Sequence, residues 1–256
     1  MGKKYYCFWT GGWDSTFMIL EQLRNGKTIQ PIYVIDDKRV GNTYEKKAMK
    51  TIIEKIESMK LKGKLLPIEY VDISTIEKNE RITESYKKIK EKTNLGTQHD
   101  WLSRFAKQRN IEIMLGTENG SPESSHIIDA LSTFCTLYED EDGVKRIDKE
   151  KTTEEGLDVF ENMLFPIVKY YETDMLKLVK EWNMEDVMKN IWFCHNPIKG
   201  KPCGLCHPCE VKMESQMEFL LPEKSQKRYK NLKKIKKTFG SKMASYYSKI
   251  IRKLNK

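Results

Sequence analysis

A parallel five-stranded sheet with helices on both faces is the fold the sequence predicts, and three observations carry it. Apolar runs alternate with helix-spaced apolar residues between residues 4 and 115. The second apolar run, residues 29–35, is nearly continuous, as a strand buried on both faces requires. A glycine pair, Gly11-Gly12, breaks the chain at the first strand-to-helix junction of this α/β pattern.

The elements follow in order. Residues 4–9 form a β-prone run, and a helical pattern over residues 14–24 follows with Phe17, Leu20 and Leu23 in phase. Asn25-Gly26 ends that helix, residues 29–35 are the second strand, and residues 43–60 carry Ala48, Ile52, Ile56 and Met59 on one helical side. Residues 65–73 read as a third strand. The polar stretch 78–95 reads as a helical insertion or lid, residues 99–109 as a helix and residues 111–115 as the fourth strand. Residues 116–156, rich in Ser, Asp, Glu and Gly, read as irregular loops that shape a substrate site or simply fill. Residues 164–168 supply the fifth strand, and two short helices follow at 173–181 and 185–189. The tail, 224–256, reads as two helical pieces hinged at Gly240. This organisation divides the chain into a main domain (1–192), a cysteine-rich knuckle (193–210) and a basic helical extension (211–256).

Composition narrows the function classes. The 256 residues are 39% hydrophobic and include 26 aromatics, enough for a packed core. No apolar stretch approaches the ~20 residues that span a bilayer, and no apolar signal segment follows the basic start, so a cytoplasmic location is expected and no membrane partner. The net charge of +9 is concentrated: residues 224–256 hold 13 of the 46 Lys and Arg and none of the 37 acidic residues, which leaves residues 1–223 at −4. Nucleic-acid binding by the whole body is thereby disfavoured; binding of nucleic acid or an acidic partner by the tail is not.

The segment Thr10-Gly11-Gly12-Trp13-Asp14-Ser15-Thr16 carries the strongest chemical signal. Paired glycines let the backbone approach a ligand closely. The helix that follows offers free N–H groups and the positive end of its dipole, and Ser15 and Thr16 add hydroxyls. This is an anion cradle. It is not a Walker loop, since the Gly-Lys-Ser/Thr ending is missing. The plainer alternative is an ordinary turn with Asp14 and Ser15 as caps. A second signal is the spacing Cys194-x8-Cys203-x2-Cys206-x2-Cys209. Clustered Cys-x-x-Cys steps point to metal or redox chemistry. Four thiolates fit tetrahedral Zn2+, with Gly204 permitting the tight turn. The alternatives are His195 or His207 as fourth ligand, an iron–sulfur cluster, or plain buried thiols.

Weaker signals complete the set. Asp36, at the carboxyl edge of the second strand, is either an adenosine or Mg2+ contact or a solvated turn. Thr97, Gln98 and His99 precede a helix and either cap it or meet a substrate. Trp101 and Phe105 are helix-spaced and read as core, Arg104 as a solvated helix position, and His126 as a loop histidine.

Thr10–Thr16 resembles the Ser-Gly-Gly-x-Asp-Ser-Thr loop of the N-type ATP pyrophosphatases, with Thr10 keeping the hydroxyl of the usual Ser. Together with the cysteine window it resembles the 7-cyano-7-deazaguanine synthase (QueC) family over residues 4–213. Tyr44-Glu45, Ala48, Gly116, Pro166 and the helix from Thr173 add support. The resemblance implies an adenine-nucleotide-hydrolase-like fold. It also implies that Thr10, Gly11, Gly12, Trp13, Asp14, Ser15 and Thr16, with Asp36 and Gly116, bind ATP. Asp14 and Ser15 would be catalytic, Asp14 positioning Mg2+ or the loop, and the four cysteines would hold a structural Zn2+. The implied reaction adenylates a carboxylate such as 7-carboxy-7-deazaguanine, releases pyrophosphate and passes the acyl group to ammonia. Without a glutaminase domain, the amine is free ammonia or belongs to a partner protein.

Three departures point to a relative with a changed substrate or acceptor. The family's Tyr-Pro-Asp-Cys-Arg segment after the fourth strand is replaced by Gly116-Thr117-Glu118-Asn119-Gly120-Ser121-Pro122, a family Lys by Glu172, and the tail 224–256 does not match the family. Competing readings are a tRNA sulfur transferase using Cys135 or a cysteine of the window, and a degenerate ATP-binding scaffold that docks a partner through its tail. The tail itself is expected to bind an anionic partner, or to fold back on its own body or on that of a second copy in a homodimer.

Overall fold

The computed structural model describes residues 3–39, 41–120 and 125–254. Strand β1 (Lys4–Phe8) leads into helix α1 (Trp13–Arg24), and β2 (Thr28–Ile35) into α2 (Asn42–Ser58). The third predicted strand is split into β3 (Lys64–Leu65) and β4 (Glu69–Asp72) around Pro67. Both pair with β2, β3 at Thr28–Ile29 and β4 at Ile32–Ile35, so they share one position at the edge of the sheet. Helices α3 (Glu80–Thr93) and α4 (Gln98–Arg109) precede β5 (Ile113–Met114), and β8 (Met163–Leu164) completes the sheet. The order across it is β3/β4–β2–β1–β5–β8, all parallel. The fifth strand is shorter than residues 164–168 because Phe165 instead bridges Lys145 and Pro166, without an N–H, follows.

The alternation of side chains sorts the core into two layers. Cys7 and Trp9 of the first strand region, Tyr33 of β2 and Met114 of β5 face one side, where they meet Phe17 of α1, Ile52 of α2 and the later helices α7 (Glu172–Glu181) and α8 (Glu185–Met188). Phe8, Ile32, Val34 and Leu115 face the other, against Ile89 of α3 and Phe105 of α4. The polar stretch 78–95 is therefore a packed layer and not a lid: Ile82, Tyr86 and Ile89 are buried, and its polarity is the solvent face of an amphipathic helix.

Residues 126–156 are likewise not irregular. They contain α5 (His126–Phe134), capped by Ser125, and an antiparallel hairpin of β6 (Leu137–Glu139) and β7 (Lys145–Ile147); α6 (Glu154–Phe160) follows. Ala130, Leu131 and Phe134 of α5 are buried in the second layer, packing that a count of polar residues conceals. Of the substrate-segment residues quoted above, Ser121 and Pro122 lie outside the described residues. After the cysteine window come α9 (His207–Glu214) and α10 (Glu223–Leu254), the latter broken at Gly240, whose φ of 81° is the expected hinge. Beyond the hinge Ala244 and Ser248 are buried, and Tyr247 and Ile251 pack on the first core layer; the side chain of Leu254 lies outside the described residues. Phe239, Met243, Tyr246 and Ile250 face outward. Among the described residues no helix is long and apolar enough to cross a membrane.

Candidate active site and metal centre

The chain leaves β1, builds β2 and its edge strands on one side, then returns to place β5 on the other side of β1. Ligands of parallel α/β sheets bind where the order reverses in this way, at the carboxyl ends of the strands. A cavity of about 340 Å³ opens there. Its walls are the turn after β1, Ile32 and Val34 of β2, the start of α4, and the segment Leu115–Glu118 after β5, with Ser125 and Ile127 at the rim. The volume suits a small organic ligand.

The turn after β1 has the form of an anion cradle. Gly11 takes a left-handed conformation, φ 70°, and Gly12 stands at the N-terminus of α1 with no side chain capping it. The Thr16 N–H already bonds the Gly12 carbonyl at 3.1 Å, whereas the N–H groups ahead of it remain available to a ligand. Thr10, Gly12, Asp14 and Ser15 line the cavity. Thr16 does not; it is buried, and its hydroxyl oxygen accepts from the Trp9 indole at 3.0 Å, fixing the first turn to the strand. Trp13 is also buried, behind the loop. Gly11 lies outside the lining, and its carbonyl accepts from the Trp192 N–H at 2.8 Å.

Gly116 shows why β5 belongs to the site. A Cβ there would stand 2.7 Å from the Ser15 nitrogen and 2.8 Å from its Cα, both backbone atoms. Only glycine lets the end of β5 touch the start of α1. Asp36, by contrast, is not brought into the cavity. Its carboxylate accepts the Lys38 N–H at 3.0 Å and its carbonyl accepts from Asn42 at 2.7 Å, which is the work of a turn. Two residues outside the predicted site do line the cavity: Trp101, which the sequence reads as core, and Arg39, which carries no sequence signal and pairs with Glu45 at 2.5 Å. Gln98 and His99 also line it, and Thr97 makes no capping bond. His126 is exposed and outside the lining.

The electrostatics of the two walls differ. Burial raises the Asp14 carboxyl to about 6; Lys212 opposes the shift and Glu172 adds to it. Burial likewise raises Glu118 to about 8, helped by the charges of Asp14 and Glu172 and opposed by Lys212. Burial lowers His99 to about 4, so it is neutral at physiological pH. Glu172 and Lys212 form a buried ion pair, with the ammonium 5.2 Å from the centre of the Trp13 ring. The reversed charge at Glu172 is thereby neutralised from α9, three residues beyond Cys209. Sequence reasoning quoted Glu118 and Glu172 only as departures and missed Lys212, because segments far apart along the chain converge here.

The four cysteines meet as the spacing predicts. Their sulfurs all lie within 4.8 Å of one another, and Cys194–Cys206, Cys203–Cys209 and Cys206–Cys209 are 3.8, 3.9 and 3.5 Å apart. A tetrahedron of ~2.3 Å Zn–S bonds has edges of ~3.8 Å. Backbone N–H groups of Cys203 and Leu205 point at Cys194 and Cys203 sulfurs, at 3.2 and 3.3 Å, which favours thiolates. Gly204, with φ 72°, is pressed so closely on Ser225 that a Cβ would overlap its carbonyl. The donor set fits a structural Zn2+, and neither histidine is needed. No other set of three or more His, Cys, Asp or Glu donors converges among the described residues.

Compared with known families, the sequence matches "Queuosine biosynthesis protein QueC" over residues 4–219. The chain belongs to the QueC family. Membership implies an ATP-dependent enzyme of the ligase type, and it covers the sheet, the cavity and the cysteine centre; α10 lies beyond it. No curated protein matches the chain.

Proposed function

We propose that this QueC-family chain adenylates a carboxylate, 7-carboxy-7-deazaguanine or a related deazapurine, releases pyrophosphate, and transfers the acyl group to ammonia or to an amine of a partner. The observation that carries the reading is the uncapped N-terminus of α1 opening into a switch-point cavity, with Gly116 seated on Ser15. The loop's N–H groups with the Thr10 and Ser15 hydroxyls hold the pyrophosphate end of ATP. The adenosine lies toward Ile32, Val34 and Arg39, and the carboxylate substrate toward Gln98 and Trp101 of α4. Fixed N–H dipoles in a partly dry site stabilise the charge that develops as the α-phosphorus is attacked. Bound Mg2+ would offset phosphate charge, and Zn2+ would hold the knuckle that buttresses the loop.

The sulfur-transfer reading finds less support. Burial pushes the Cys135 thiol up to about 12 and that of Cys7 higher still, so neither is a ready thiolate. The degenerate-scaffold reading rests on the replaced segment after β5 and on Glu172; of these, the charge of Glu172 is neutralised by Lys212. The test is conversion of ATP to AMP and pyrophosphate with 7-carboxy-7-deazaguanine, with and without ammonia, the products weighed by mass spectrometry. ADP as product would overturn the reading, as would AMP formation indifferent to any deazapurine acid.

A further inference from the structure

Adenylation needs hydrogen-bond donors, which the phosphate loop supplies. Aminolysis needs the opposite. An amine that attacks an acyl carbon must lose a proton, and N–H groups and hydroxyls held on phosphate offer nowhere to put it. Among the described residues four titratable side chains line the cavity: Asp14, Arg39, His99 and Glu118. Arg39 is a permanent cation paired to Glu45. His99, lowered to about 4, is too weak a base near neutrality. Asp14 belongs to the first turn of α1, where the phosphates sit. Glu118 stands on the opposite wall, and its Oε2 is buried without a hydrogen-bond partner. Its backbone is fixed next door, where the Asn119 N–H donates to the Tyr170 carbonyl at 2.7 Å. The charged groups that face it are Asp14 on α1, Glu172 on α7 and Lys212 on α9.

Resting on the ligase reading, we propose that Glu118 is the base that takes the proton from the amine attacking the acyl-adenylate. The nitrogen lone pair forms the C–N bond, the C–O bond to AMP breaks, and AMP leaves with that electron pair. One N–H proton passes to Glu118 Oε2 and from there to solvent. A proton affinity near 8, set by burial and by two neighbouring carboxylates, is close to the optimum for a base working near neutrality.

The experiment separates the two half-reactions. ATP–pyrophosphate exchange with 7-carboxy-7-deazaguanine reports adenylation alone. Amide formation is then measured with ammonia, at fixed free-base concentration across pH, and with hydroxylamine, whose weakly basic nitrogen gives up its proton readily to water. For Glu118→Gln the expected result is exchange within about twofold of wild type and an ammonia rate reduced ~100-fold or more, with the hydroxylamine rate largely kept. The rise of the wild-type ammonia rate through pH 8 should flatten in the variant. The exchange reaction also certifies that the variant is folded. Exchange that falls in step with amide formation would overturn the assignment, and so would a hydroxylamine rate that falls as far as the ammonia rate. If the wild-type protein shows no exchange, the ligase reading fails at its first step and this assignment falls with it.

Discussion

The cavity has two walls that meet where Gly116 packs against the start of α1, and the chain builds them in different ways. The wall after β1 is local. Seven consecutive residues turn the chain, open a helix N-terminus and present donors to an anion. The wall after β5 is backed from a distance: Glu118 follows the strand and lines the cavity, and behind the lining the charges of Glu172 from α7 and Lys212 from α9 act on it. One wall offers N–H and hydroxyl donors to an anion, and the other carries Glu118, a carboxyl whose proton affinity burial raises. A site that first makes an acyl phosphate and then aminolyses it needs both, side by side.

The contact between the walls is where the arrangement breaks most completely. Gly116→Ala places a methyl group on the Ser15 backbone, so the loop must shift; nucleotide binding should be lost and thermal stability should fall. Asp14→Ala and Ser15→Ala test the loop without that strain. Each should lower AMP formation ~100-fold or more with an unchanged circular dichroism spectrum, the usual scale for one lost contact to a transition state. Wild-type AMP release from both would remove the loop from the chemistry.

The metal centre supports both walls. It follows Trp192, whose N–H holds Gly11, and it starts the helix that carries Lys212. Elemental analysis should give one zinc per chain. Chelation, or Cys203→Ser, should lower the melting temperature and weaken ATP binding, measured by calorimetry, before any selective loss of aminolysis. Iron with visible absorbance would replace zinc by a cluster.

The second wall sharpens the comparison through pH. Removing the Glu172 charge by Glu172→Gln takes away a repulsion that raises both Asp14 and Glu118, so their proton affinities should fall and the pH profile of amide formation should move to lower pH. Lys212→Met removes an attraction and should move it to higher pH, at a cost of ~3–5 kcal/mol in stability from the stranded Glu172 carboxylate. Opposite displacements in the two variants are the signature; displacement in one direction for both would mean the wall acts only through the fold.

What the sequence makes legible follows the same division. The phosphate loop and the cysteine window are short, and their chemistry lies in spacing, so both could be read directly. Glu118, Glu172 and Lys212 act on one another across long stretches of chain, and no spacing connects them before the sheet, α7 and α9 are in place. The errors over residues 78–95 and 116–156 have one cause. Each is a short or polar helix whose few apolar residues, Ile82 and Ile89 or Ala130 and Phe134, become core only when neighbouring helices of the same layer cover them. Asp36 fails in reverse: it stands at the right edge of the sheet and spends its polar atoms on its own turn.

The smallest effect on chemistry is expected from the end of α10, and the structure fixes where to cut. Deletion after Pro222, which the sequence alone suggests is harmless to ATP binding, would strip the knuckle: Ser225 Oγ donates to the Pro202 carbonyl at 2.5 Å and Arg228 to that of Cys203 at 2.8 Å. Truncation after Gly240 leaves those contacts intact. It removes a segment that buries Ala244 and Ser248 and holds the knuckle through Arg252, which donates to the Leu205 carbonyl at 3.3 Å. It also removes the outward row Met243, Tyr246 and Ile250, with Tyr246 60% exposed. AMP formation should stay within about twofold, and the melting temperature should drop by a few degrees, on the order of 1 kcal/mol. Any salt-sensitive attachment to an anionic partner should weaken, since five of the tail's cationic residues go with the segment, namely Lys242, Lys249, Arg252, Lys253 and Lys256. A truncated protein that loses AMP formation at low and high salt alike would place the end of α10 in the support of the active site, and the division between the two walls would then need a third member.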